Sequence, residues 1–172
     1  MHFRVMGFMF LTILLLWLTL RRPYRHRFPR FFAFDALLGL VFLNAPWWFI
    51  ESKSSSQLAS WGLLMGSFLL ALHGFWMLKT RGAPDEDIEN TTHLVQEGAY
   101  RWIRHPLYTS LFLLGLGVVL KHVSWESVVL FCILLLALFW TAKFEEQDNV
   151  QRFGRPYQEY MRRTRRFIPY LY

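Results

Sequence analysis

The sequence predicts an all-α integral membrane bundle of about five transmembrane helices, followed by a cytoplasmic C-terminal amphipathic segment. Three observations predict it. The 172 residues are 54% hydrophobic and 19% aromatic, above the roughly 45–50% apolar content of soluble domains. The excess is gathered into five spans, residues 5–20, 31–50, 58–78, 107–120 and 128–144. The net charge of +7 is concentrated in alternate connections between those spans. Lipid offers no water to backbone polar groups, so such spans must be helical. Five of them exceed what the core of so small a soluble domain would bury.

A bilayer-crossing helix needs about 17–25 mainly apolar residues. The second and third spans meet that length comfortably, and the first and fifth lie near its lower limit. The fourth is short and relies on its first turn after Pro106, on tilt or on local thinning. The first span has an early Arg4 but no small-residue cleavage site after it. The following "RRPYRHRFPR" suits the flank of a retained helix rather than a removed signal. Asp35 is read in the first turn of the second span, where the helix dipole favours a carboxylate. Asn44 and Pro46 mark a kink. "ESKSSSQ" is an outer turn. His73 in the third span is read as a neutral imidazole bonded to a neighbouring helix. Residues 80–104 are polar and long for a structureless connection, a size that often carries function. Gly115 and Gly117 allow close helix packing. The short connection 121–127 makes spans four and five an antiparallel hairpin. Residues 145–172 alternate charge and aromatic, with Val150, Phe153, Tyr157, Tyr160 and Met161 at a spacing that suits an interfacial helix interrupted near Gly154 and Pro156. The whole is one domain, residues 1–172, with helices one to three in 1–79 and the functional half in 80–172.

Charge placement sets orientation and excludes a nucleic-acid partner. Arg21, Arg22, Arg25, Arg27 and Arg30 lie on one side, with Lys79, Arg81, Arg101, Arg104, Lys143 and the C-terminal arginines. Only Arg4, Lys53 and Lys121 lie on the other. The positive-inside rule then puts the N-terminus outside and the C-terminus in the cytoplasm, as in a bacterial-type inner membrane. The basic excess is topology plus attraction to anionic membrane lipids. The lone Cys132 excludes an intramolecular disulfide and a Cys-rich metal site.

The chemistry-bearing stretch is "GAYRWIRHPLYTS". Pro106 suits the first turn of a helix, because its missing N–H has no intrahelical partner there anyway. The free amides at that helix start, with Arg104, favour an anion. His105 and Tyr108 share a face. The hairpin returns to the same depth at roughly 1.5 Å per residue, bringing Glu145 and Glu146 beside them. That constellation suits a ligand bearing both a carboxylate and an ammonium group, and ionisable groups in a membrane are functional candidates.

"THLVQEGAYRWIRHPLYTS", then a hairpin, then "EEQDNVQRFGRPYQEYMRRTRRFIP", closely resembles the isoprenylcysteine carboxyl methyltransferase family and the related phospholipid methyltransferases. The resemblance covers residues 91–169. It implies a small integral membrane enzyme that uses S-adenosylmethionine to methylate a lipophilic or lipid-modified acceptor, as in isoprenylcysteine carboxyl methylation. It also implies cofactor contacts at Thr92, His93, Leu94, Val95, Tyr100, His105, Pro106, Leu107, Tyr108 and Glu145. The aromatic C-terminal segment would cover the pocket. One departure stands out: eukaryotic prenylcysteine enzymes carry an arginine four residues before the glutamate, and Thr141 occupies that position. A membrane reductase of the sterol-reductase type and a non-catalytic lipid-binding membrane protein are the competing readings.

Overall fold

The computed structural model describes residues 2–21, 27–50, 54–85 and 91–169. Arg22, Arg25 and Lys53, part of the outer turn (51–53) and part of the long connection (86–90) lie outside the described residues. Six α-helices follow one another among the described residues: α1 His2–Leu20, α2 Arg27–Asn44, α3 Ser55–Arg81, α4 Pro106–Val119, α5 Trp125–Phe153 and α6 Arg155–Arg163. Among the described residues there is no strand. The protein is an all-α bundle in which α2 (with its 3₁₀ extension), α3 and α5 are long and apolar enough to cross a membrane. The apolar helices α1 and α4 are shorter. The 14 residues of α4 rise only about 21 Å, less than the roughly 30 Å of a hydrocarbon core.

Local chemistry sets the boundaries. Ser54 caps α3 by accepting from the Gln57 amide, and Ser124 caps α5 by accepting from the Ser127 amide. At Asn44 the second helix tightens into a 3₁₀ turn, Ala45–Trp47, around Pro46. The buried Asn44 amide donates to Leu40 O and to Ser127 Oγ, both at 3.0 Å, tying the kink to the start of α5. Asp35 corrects the sequence reading. Because α2 begins at Arg27, Asp35 lies about two turns inside it, beyond the reach of the dipole, and instead accepts a 2.7 Å hydrogen bond from Thr12 of α1.

The fifth helix also runs further than its apolar stretch. Nothing in residues 145–153 breaks a helix, so α5 continues as a polar extension to Phe153 and stops at Gly154 (φ 62°, ψ −134°). Glu145 and Glu146 therefore sit inside a helix rather than at its end. Pro156 stands in the first turn of α6, where proline is tolerated.

Helix α4 is the shared neighbour of α2, α3 and α5. Ser60 Oγ donates to Gly117 O at 2.6 Å and Ser67 Oγ to Ser110 O at 2.7 Å, so α3 and α4 lie close. A Cβ on Gly117 would meet Leu64 and the Ser60 carbonyl of α3 at 3.1–3.2 Å, and one on Gly115 would meet Leu134 of α5 at 2.5 Å. The two glycines thus face different neighbours, and both are needed for α4 to fit between them. The main apolar core joins Ala33, Ala36, Leu37 and Leu40 of α2 to Val118, Leu134 and Leu138.

Candidate functional site

Helix α4 begins beside Gly74 of α3 and Glu145 of α5, and both of those helices run on past its start. The chain fills the resulting recess from two directions. The connection after α3 folds back with Thr92 N donating to Gly82 O at 3.0 Å. It then forms a 3₁₀ turn, Gly98–Arg101. Gly98 adopts φ 57°, and a Cβ there would lie 2.5 Å from His73 Nε2. That nitrogen accepts the Ala99 N–H at 3.2 Å. His73 is therefore bonded as expected, but to this turn rather than to another helix. From the other direction the C-terminal segment pairs with the strand-like stretch before Pro106. Arg104 N donates to Arg165 O (2.7 Å), His105 N to Arg166 O (3.1 Å), and Arg165 N to Trp102 O (3.1 Å).

Glu146 holds this assembly together. Its carboxylate accepts from Arg104 Nε at 2.8 Å and from Arg166 at 3.1 and 2.5 Å. Arg104 Nη1 also donates to Met161 O at 3.1 Å and Thr164 O at 2.5 Å. One buried carboxylate thereby links α5, the start of α4 and the C-terminal segment. Tyr160 adds a 2.6 Å hydrogen bond from its hydroxyl to Tyr100 O.

Glu145, the adjacent residue, turns the other way. It accepts from the Tyr108 hydroxyl, and its Oε2 lies 3.5 Å from His105 Nδ1. His105 Nε2 lies 3.4 Å from Glu146 Oε1 without a well-formed hydrogen bond. The imidazole, 7% exposed, is thus suspended between two carboxylates, with Tyr108 stacked on it at 5.4 Å.

Glu145, His105 and Tyr108 line a cleft of about 620 Å³ including its open mouth. Of the residues expected from sequence, Leu94, Val95, Tyr100, His105, Leu107, Tyr108 and Glu145 line it. Thr92, His93 and Pro106 do not. Thr92 Oγ1 donates to Ala83 O at 2.8 Å and lies 3.0 Å from His93 Nδ1. Pro106 is fully buried under the cleft beside Gly74. Phe153, Tyr157 and Tyr160 form part of the wall as a cover would. Sequence reasoning missed Leu78, Thr91 and Asn149, which also line it. Asn149 was within reach, since it lies one turn beyond Glu145 and shares its face.

Arg104 and His105 are the basic residues lining the cleft. The first is engaged with Glu146 and two carbonyls, the second with both carboxylates. Thr141 is 1% exposed and its hydroxyl donates to Ala137 O at 2.7 Å, so it offers nothing to the cleft. Burial raises the Tyr157 and Tyr160 phenols well above the usual tyrosine range, and both stay neutral. For His105, burial disfavours the imidazolium, but hydrogen bonding and charge from Glu145 and Glu146 outweigh it. The net effect raises its pKa above 6.5.

That direction fixes a pH dependence. A raised folded-state pKa gives stabilisation that is full below the unfolded value of about 6.5 and lost as pH climbs through the folded value. Thermal unfolding in detergent is expected to show stability falling as pH rises above that value. His105→Gln should flatten the slope, and an unchanged slope in that variant would assign the effect elsewhere.

A family model for phospholipid methyltransferases matches residues 56–155. The match runs from the start of α3 through α4 and α5 to the start of α6. It takes in the lining residues from Leu78 to Phe153 and stops short of Tyr157 and Tyr160. Among curated proteins none matches the chain.

Proposed function

We propose that this chain, which belongs to the phospholipid methyltransferase family, uses S-adenosylmethionine to methylate a lipophilic acceptor at the cytoplasmic face of a membrane. The single observation that carries the reading is Glu145. It is the carboxylate that lines the cleft, set by Tyr108 and His105 amid Tyr100, Tyr157, Tyr160 and Phe153. The donor set suits the cofactor. A carboxylate with Asn149 beside it matches an ammonium or ribose, ring faces attract a cationic sulfonium, and Leu78, Leu94 and Val95 offer an apolar wall. When bound, the cofactor supplies an electrophilic methyl group.

What the chain then has to do is hold two reactants in line and keep water away, since proximity and orientation are the main contributions an enzyme can make to such a displacement. Glu145 and His105 fix one end of the donor. Phe153, Tyr157 and Tyr160 close the cleft from above. The charge inventory bears on the acceptor. An acceptor carboxylate, as in a prenylcysteine, would look for a free cation, and among the described residues the cleft's basic groups, Arg104 and His105, are both engaged. An uncharged or amine nucleophile on a lipid fits the cleft better. The same inventory disfavours a nicotinamide cofactor, whose additional phosphates call for free cations.

Thermal stability during titration tests the reading. S-adenosylmethionine and S-adenosylhomocysteine are expected to raise the unfolding temperature while NADPH does not, and labelled methyl should then pass into a membrane lipid extract. A response to NADPH alone would support a reductase, and no response would leave a non-catalytic lipid-binding role.

A further inference from the structure

A second cavity lies at the opposite end of the bundle. Helices α1 and α5 both pack on α2, and among the described residues they are at most marginally in contact with each other. The furrow between them holds about 1690 Å³ including its open side. Phe8, Phe42, Leu43 and Val129 are among its lining residues. Its depth depends on Gly39, where a Cβ would come within 3.3 Å of Leu130 and 3.8 Å of Phe8. Two charged side chains border it, Arg4 on α1 and Glu126 on α5, next to Trp125, which is 78% exposed. Glu126 is 19 residues before Glu145 on the same helix, about 28 Å away at an α-helical rise. The furrow is therefore separate from the methyl-transfer cleft.

We propose that this furrow is a binding site for one zwitterionic phospholipid. An apolar channel facing hydrocarbon takes up a hydrocarbon chain, and the charges at its border select the headgroup. Arg4 pairs with the phosphate. Glu126 faces the ammonium, with the Trp125 ring offering a cation–π surface. Glu126 stands in the first turn of α5 beside Trp125. An anionic headgroup lacks the positive group that Glu126 would meet, so the site discriminates by charge pattern and not only by apolar area.

The test is native mass spectrometry of the full chain released from micelles doped with equal phosphatidylcholine and phosphatidylglycerol. The wild type should retain one phosphatidylcholine per chain, favoured by about fivefold over phosphatidylglycerol if Glu126, the one charge that distinguishes the two headgroups, contributes as a single charged residue does at a lipid surface. Arg4→Gln with Glu126→Gln should still carry lipid but lose the preference. Gly39→Leu should lose the retained lipid. The charge variants should keep the thermal shift with S-adenosylmethionine, so failure here is distinguishable from failure of the proposed enzyme activity. Equal retention of both lipids by wild type, a preference that survives the double variant, or a dimer that covers the furrow would each overturn the proposal.

Discussion

Glu146→Ala is expected to cost about 3–5 kcal/mol of stability, the range for breaking a buried ion pair by removing one partner. The reason is convergence. Three basic groups from two parts of the chain meet one carboxylate: the adjacent Arg104 and His105 (the latter at 3.4 Å) before α4, and Arg166 in the C-terminal segment. The Arg104 and Arg166 side chains are only 9% and 14% exposed, so neither can recover its hydration without moving. Alanine would leave two guanidinium groups buried beside each other. The expected consequence is release of the C-terminal segment from its pairing with Trp102, Arg104 and His105, and with it loss of the cleft wall formed by Tyr157 and Tyr160. Thermal unfolding in detergent measures the loss, and limited proteolysis after α5 should show cleavage that wild type resists. Glu146→Gln keeps one acceptor but turns an amide N–H₂ towards a guanidinium, so it should fall between the two. An alanine variant that unfolds with wild type would mean that the clamp is not what secures the segment.

Much of this arrangement was legible in the sequence because its signals are local. Proline at the start of α4 and glycine between α5 and α6 each act within one turn. The return of the hairpin follows from helical rise alone, and it correctly brought Glu145 and Glu146 beside His105. What could not be read was direction around the helix axis. Arg104 seemed free to favour an anion, yet it faces the buried Glu146 and two carbonyls. Consecutive residues on a helix differ by about 100°, so Glu145 and Glu146 looked like a matched pair while serving different partners. Thr92 and His93 failed to reach the cleft for a similar reason. Their segment is an irregular turn bonded back to Gly82 and Ala83, and no periodicity says which side chains such a turn points inward. Asp35 shows the same limit at a boundary. Four residues of additional helix before the apolar stretch moved it from the dipole's end to an interhelical hydrogen bond. The family match and the geometry agree on the half of the chain that carries motifs, while α1 carries none and its role had to come from packing.

Glu145→Ala is expected to abolish measurable cofactor binding while leaving the chain folded. Truncating one partner of a buried, hydrogen-bonded charge pair typically costs about 2–5 kcal/mol of binding, which is roughly 30-fold to several thousand-fold in affinity. The fold should survive because Glu146, with Arg104 and Arg166, is untouched by the change. Its side chain is 14% exposed, Tyr108 and a histidine that can shed its proton are among its partners, and Glu146 remains to hold the C-terminal segment. His105→Ala should give a similar loss of binding, since it leaves Glu145 without its cationic neighbour and removes the ring that Tyr108 stacks on. Tyr108→Phe should cost less, because the stacked ring stays and one hydrogen bond to an ionised group is worth about 1.5–3 kcal/mol. Isothermal calorimetry with S-adenosylhomocysteine measures all three, and circular dichroism checks the fold. The comparison between neighbours is the decisive part. If Glu145→Ala binds as wild type does while Glu146→Ala alone loses binding, the cofactor is held through the clamp and the cleft has been assigned to the wrong carboxylate.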